Sequence, residues 1–309
     1  MRLRTARSTL TVALLGLALQ GPGLLLGAQA PSPTLVLPDR DPSLQSALER
    51  ILRQPPYRPL VEQGRISVAL VDLTDPDRIR YAGVDDDRMR YAASLPKIGI
   101  LLGVFDQIER GRLRYTPGLR SKMEGMIRRS DNGLSSELIR LVGFPAIAQS
   151  LRDPRHQLYE PSRKGGIWVG RGYGNGVGLW RRDPIANTSH GATARQAARF
   201  LAMMDRGMLV SPWASREMKD ILGDPAIHHK FVKGLDDSHP EARVFRKSGT
   251  WRQWHADAAL VERDGRKYVA VALLESPTRS AGNVFSSLIV RLDDAVFRTE
   301  PVTRRAEAR

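Results

Sequence analysis

The stretch YAASLPKIGILLGVFDQIERG, residues 91–111, decides how the chain is read. From Ile98 onward it is a buried helix: Ile98, Leu101, Leu102, Phe105 and Ile108 recur every three or four residues. Yet Ser94 stands at the mouth of this helix and Lys97 lies one turn inside. A pair spaced i, i+3 shares one helix face, so the ammonium can approach the hydroxyl. A serine hydroxyl is a poor nucleophile until a base takes its proton. Lysine serves when burial or a neighbouring cation lowers its pKa. The helix N-terminus favours negative charge at Ser94. A bare Ser-x-x-Lys arises by chance about once in a few hundred residues, so the pair needs company.

Working outward, RISVALVDL (residues 65–73) has the β-branched, apolar composition of a strand, and RIRYAGV runs back after a TDPD turn. An amphipathic helix at about residues 43–52 precedes them. The middle of the chain is helical: segments follow at about 117–129 and after Asn132. Thr193 caps another, and Ser211 caps one that Pro212 opens and Gly223 ends. Strands return with WHADAALVE and KYVAVALLE around an Asp264-Gly265 hairpin turn, before a final amphipathic helix. Strands at both ends with helices between predict an α+β fold. One antiparallel sheet is built from both chain ends, with flanking helices and an inserted all-α lobe. The expected division is a sheet lobe from 43–90 and 245–298, and a helical lobe from 91–244. The cleft between them is the default place for a site.

Two further motifs join the first. Ser130-Asp131-Asn132 lies between two helical segments, and Lys247-Ser248-Gly249-Thr250 lies just ahead of the C-terminal hairpin, where an edge strand belongs. The order S-x-x-K, S-D-N, K-[ST]-G resembles that of class A β-lactamase-type serine hydrolases, within the β-lactamase and penicillin-binding protein superfamily. The layout of residues 66–97 and 192–275 is similar as well. The resemblance implies a β-lactamase/transpeptidase-like fold and an acyl-enzyme on Ser94. Lys97 would help deprotonate Ser94, and Ser130 would pass a proton to the leaving nitrogen with Lys247 holding it. Asn132 would bind the acylamido group, Ser248 and Thr250 the substrate carboxylate. Asp131 would be structural, and the amides of Ser94 and Thr250 would form the oxyanion hole. Glu160-Pro161, after an aromatic, is similar to the family's glutamate-proline pair, which implies that Glu160 aims the deacylating water. The surroundings depart from the family: Lys164 replaces an asparagine, Leu158 replaces an arginine, and the spacing from Ser94 to Ser130 is short.

The resemblance thus implies a β-lactam-opening enzyme of antibiotic resistance or β-lactam catabolism. A D-Ala-D-Ala carboxypeptidase, another penicillin-binding protein and an esterase of the same fold are the alternatives. A non-catalytic cell-wall-binding protein has no use for a nucleophile with two proton carriers. The expected partner is a small β-lactam or D-Ala-D-Ala-like substrate; no cofactor or metal is called for, and a monomer is expected.

Composition agrees. Of 309 residues, 41% are hydrophobic and 26% charged, which suits a folded chain with ample core. Arg2, Arg4 and Arg7 precede an apolar run at residues 10–19 and a small-x-small site at Ala28 and Ala30, the pattern of a secretory signal cut near Ala30. Export to the periplasm or outside follows, with one catalytic domain at 31–300 and a charged tail at 301–309. The absence of cysteine excludes disulfides, a thiolate nucleophile and thiolate metal sites. The formal charge of +15 suits anionic surroundings, but no aromatic-basic nucleic-acid motif accompanies it.

Three features lie outside the motifs. GGIWVGRGYGNGVG, residues 165–178, reads either as a wall over the cleft or as a small hairpin packing Trp168, Tyr173 and Trp180 on the scaffold. The hairpin is the expectation. His228, His229 and His239, with Asp236 and Asp237, form a polar loop rather than a metal site, since adjacent histidines project apart. His255 is expected to pack at a strand start.

Overall fold

The computed structural model describes residues 34–277 and 281–299. The signal segment 1–30 and the tail 301–309 lie outside the described residues. In chain order the elements are α1 (Pro42–Leu52), α2 (Arg58–Glu62), β1 (Ile66–Asp72), β2 (Arg80–Val84), β3 (Arg90–Tyr91), α3 (Lys97–Glu109), α4 (Pro117–Arg128), α5 (Asn132–Val142) and α6 (Phe144–Arg152). Next come β4 (Tyr159–Glu160), a 3-10 turn (Pro161–Arg163), β5 (Gly165–Gly166), β6 (Trp168–Val169), β7 (His190–Ala192), α7 (Ala194–Asp205), α8 (Pro212–Leu222) and α9 (Phe231–Ser238). The chain closes with β8 (Arg243–Trp251), β9 (Trp254–Arg263), β10 (Arg266–Glu275) and α10 (Ala281–Arg298).

The main sheet has five antiparallel strands in the order β2-β1-β10-β9-β8, so the two ends of the chain meet where β1 pairs with β10. Asp264 and Gly265 both take positive φ, 46° and 72°, as the two-residue turn between β9 and β10 requires. β1 is buried along its whole length, and its side chains alternate between two cores. Val68 and Leu70 face α1, α9 and α10, whereas Ala69 and Val71 face α7 and the helical lobe. β8 is the open edge, as expected for the strand carrying Lys247.

Two of the helix caps, Thr193 and Ser211, are those expected from the sequence, and Asp41, Thr116 and Asp131 join them. Asp41, Thr116, Asp131, Thr193 and Ser211 each accept a hydrogen bond from a backbone N–H of the following turn. α3 is buried from Lys97 to Gln107 on every side, which is why its apolar stripe is so wide. Two differences stand out. Residues 231–238, expected as loop, form α9, because Phe231, Val232 and Leu235 make an apolar stripe against α10. The interval 91–244 also contributes α7 and α9 to the layers on the sheet.

Candidate active site

Strand β8 and the turn before α3 meet at Gly249. A Cβ placed there would lie 2.3 Å from the Ala92 carbonyl oxygen and 2.7 Å from the Ser94 nitrogen, so only glycine lets the edge strand approach this closely. The turn bends at Ala93, whose φ of +50° is unusual for a residue with a side chain. Ser94 follows it, half-buried at the edge of an open cleft of about 540 Å³. Asn132 and Thr250 line the same cleft.

Lys97 and Lys247 enter from beneath, and both are buried. Lys97 Nζ donates to the Ser130 carbonyl at 2.6 Å and to Asn132 Oδ1 at 2.9 Å, with Ser130 Oγ at 3.4 Å. Lys247 Nζ donates to Ser130 Oγ at 2.9 Å and to the Ser248 carbonyl at 2.6 Å. Ser130 itself sits at φ +57° in the link between α4 and α5, which presents both its carbonyl and its hydroxyl to the lysines. With lysine N–H groups donating to Ser130 Oγ, the hydroxyl hydrogen is left for a third group. Burial pushes Lys97 down to about 7, and the Asp131 carboxylate opposes only part of that fall. Lys247 is held well below its ordinary value by burial and then by the charge of Lys97. Of the residues singled out in the sequence, Lys97, Ser130, Asn132 and Lys247 are therefore joined by hydrogen bonds. Ser94 and Thr250 face the cavity above them.

Two others are placed elsewhere. Ser248 does not line the cavity; its Oγ lies 3.3 Å from His229 Nε2 on the other side of the strand. Glu160 is on β4, paired with Gly165, and its carboxylate accepts from Ser162 Oγ at 3.1 Å. Ser162 lines a separate cleft with Asp87, Lys164 and Arg195. Among the described residues no carboxylate lines the Ser94 cavity, and the acidic side chain acting on Lys97 is Asp131.

The glycine-aromatic segment fulfils both of its readings. Trp168 and Trp180 pack on Tyr159 and Phe144, as a hairpin on the scaffold would. Arg171, Tyr173 and Asn175 instead line the cavity, which corrects the expectation of a hairpin alone. Tyr173 is fixed at three points. Its N–H donates to Ser136 Oγ, Ser136 donates back to its carbonyl, and its hydroxyl donates to the Ala93 carbonyl at 3.3 Å. Its ring lies 4.6 Å from Lys97 Nζ and 4.3 Å from the His190 ring. His190 is pushed down to about 4 by burial, so it is neutral near pH 7.

Sequence reasoning missed His190 and Lys230, and expected Tyr173 to pack on the scaffold rather than to line the cavity. Lys230 is a third buried lysine, donating to the Gly249 carbonyl at 2.7 Å and to Thr250 Oγ1 at 2.8 Å from behind β8. Burial brings it down to about 7, against the pull of Asp257. It sits in a polar HHK run with no motif of its own; its position between α8 and the KSGT strand was the available signal. The histidines disperse. His228 pairs with Asp236, His229 with Ser248 and His239 with Asp293, and no metal-competent cluster of three or more acidic or histidine side chains occurs among the described residues. His255 is half-buried at the start of β9.

An antiparallel sheet drawn from both chain ends, a helical lobe, and a serine turn backed by two buried lysines define a protein of β-lactamase/transpeptidase-like fold. The family model for the Beta-lactamase enzyme family matches residues 116–296, more than half of the chain, and the chain belongs to that family. Solved structures agree on the fold. PBP-A is 18% identical, with 85% of this chain and 99% of that one covered and a TM-score of 0.61. A β-lactamase from Sphaerobacter thermophilus DSM 20745 is 15% identical over 83% and 99%, with a TM-score of 0.62. The extended-spectrum β-lactamase TLA-1 is 13% identical over 82% and 98%, with a TM-score of 0.61. Comparison with curated protein sequences gives no match.

Proposed function

We propose that the protein is an exported acyl-transfer enzyme of penicillin-binding type. It takes a β-lactam or D-Ala-D-Ala-like amide onto Ser94 and releases the acyl group slowly. The observation that carries this reading is the joint hydrogen-bonding of Lys97 and Lys247 to Ser130 beside a cavity that no carboxylate among the described residues lines. Neutral Lys97, available near pH 7, takes the Ser94 proton as Oγ attacks the substrate carbonyl carbon. The oxyanion forms between the backbone N–H groups of Ser94 and Thr250, which the close approach at Gly249 brings together. The carbon–nitrogen bond then breaks, and Ser130 Oγ gives its proton to the leaving nitrogen, to be resupplied from the lysines. Asn132 bonds the acylamido group, and Thr250, backed by Lys247 and Lys230, takes the substrate carboxylate. The signal-like pattern of residues 1–30 supports export of one domain, about 31–300, to the compartment where such amides occur. No helix among the described residues is long and apolar enough to cross a membrane.

Rapid turnover, as in a β-lactamase, needs a base to aim water at the ester, and Glu160 faces Ser162 instead. PBP-A, solved as a point variant in an acyl-enzyme complex with penicillin G, is the similar structure that fits this branch. Intact mass after mixing with benzylpenicillin tests the proposal. A persistent adduct is expected on the parent, none on Ser94→Ala, and an unchanged lifetime on Glu160→Gln. An adduct that clears as drug is consumed, and that Glu160→Gln traps, would establish the β-lactamase instead.

A further inference from the structure

The residues facing Ser94 make an unusual pairing of an aromatic floor with one unpartnered cation. The Tyr91 ring lies 6.2 Å from Trp254 and edge-on to His190 at 6.1 Å, and His190 continues to Tyr173. Trp251, 55% exposed, extends the apolar surface at the mouth. Arg171 lines the same cavity from the segment between β6 and β7, and among the described residues no acidic side chain pairs with its guanidinium. Its backbone carbonyl lies 2.9 Å from His190 Nε2, which holds Arg171 beside that floor in the same cavity. Lys97 and Lys247 meet at Ser130 next to this cavity, and burial holds both below the ordinary lysine value, so Arg171 is the cation that the lining itself presents.

We propose, building on the acyl-transfer reading, that this part of the cavity selects an acyl side chain that carries both an aryl ring and a carboxylate. The ring stacks on Tyr91 and Trp254, where offset and edge contacts are favourable. The carboxylate takes the fork of Arg171, a planar donor matched to carboxylate geometry. A neutral side chain leaves Arg171 solvated, and an amino-bearing side chain meets like charge. A charged hydrogen bond in a partly desolvated cleft discriminates on the order of tenfold to a hundredfold.

Three penicillins with one phenyl frame make the test: α-carboxybenzyl, benzyl and α-aminobenzyl. The second-order rate of Ser94 acylation should fall in that order, and Arg171→Gln should compress the three rates to within about twofold of one another. Trp254→Leu should slow all three relative to a methyl-substituted penicillin. Charge ratios that survive Arg171→Gln overturn the proposal. Absence of any adduct sinks the acyl-transfer reading, and the subsite is then judged by equilibrium binding to Ser94→Ala, followed by tryptophan fluorescence. There, phenylmalonate should bind more tightly than phenylacetamide, and Arg171→Gln should erase the difference. Equal binding of the two overturns the subsite by itself.

Discussion

One wall of the Ser94 cavity is regular structure: edge strand β8 laid against the turn that opens α3. The other is the segment from β5 to β7, held by glycines, stacked indoles and side-chain bonds to α5. The first wall carries Ser94, Lys97 and Lys247, and its geometry is dictated by backbone contact at Gly249. The second carries Arg171, Tyr173 and His190, and is pinned from outside by Ser136. The contrast teaches that the candidate nucleophile and its lysines sit on rigid elements, whereas the aromatic and guanidinium lining opposite sits on a fastened loop.

Breaking the rigid wall should have the largest effect. Gly249→Ala pushes a methyl into the Ala92 carbonyl and the Ser94 N–H, neither of which can swing aside. Acylation should drop about a hundredfold, because a displacement near 1 Å suffices for that. Stability should fall by about 1–3 kcal/mol. Stopped-flow acylation and thermal melts check both. Unchanged acylation would mean that the strand and serine need not touch.

A smaller effect follows from the lysine beneath that wall. With Lys97 at about 7, the acylation rate should rise with pH through that value and then level, since the neutral amine is the base. The folded value lies below the unfolded 10.5, so the native state holds fewer protons between the two. The Lys97 contribution to stability therefore grows as pH rises across that window. A flat rate profile across neutrality would remove Lys97 from the base role.

The smallest change in activity is expected at the loop wall. Ser136→Ala leaves the Tyr173 N–H and carbonyl without their partner in a buried place, a loss of about 1–3 kcal/mol. Acylation by bulky penicillins should fall only a few-fold. A drop as large as that of Gly249→Ala would erase the distinction between the walls.

The rigid wall was legible and the loop wall was not, for a local reason. Ser94, Lys97, Ser130, Asn132 and Lys247 announce themselves through short spacings on elements whose periodicity and caps are strong. The strands from both ends were readable in the same way, from β-branched runs and the Asp264-Gly265 turn. Residues 157–192 have little periodicity, so whether Tyr173 covers Lys97 or solvent depends on Ser136, which lies 37 residues away. Glu160 shows the reverse case. Its neighbour Pro161 and the preceding aromatic fit a family pattern, yet pairing with Gly165 turns the carboxylate toward Ser162. Helix α9 was missed because three apolar residues in a polar run signify little until α10 lies across them.

By itself the sequence determined the α+β order of elements, the helix starts, the family resemblance and the identity of the nucleophile candidate with its two lysines. These follow from nearest neighbours along the chain: spacing, capping and turn chemistry. Only the tertiary structure decided that Lys230 backs Thr250, that Ser248 faces His229 and that Arg171 shares a cavity with Trp254. Such contacts join residues distant in sequence, and the burial that lowers Lys97 to about 7 exists only once both lobes have closed around it.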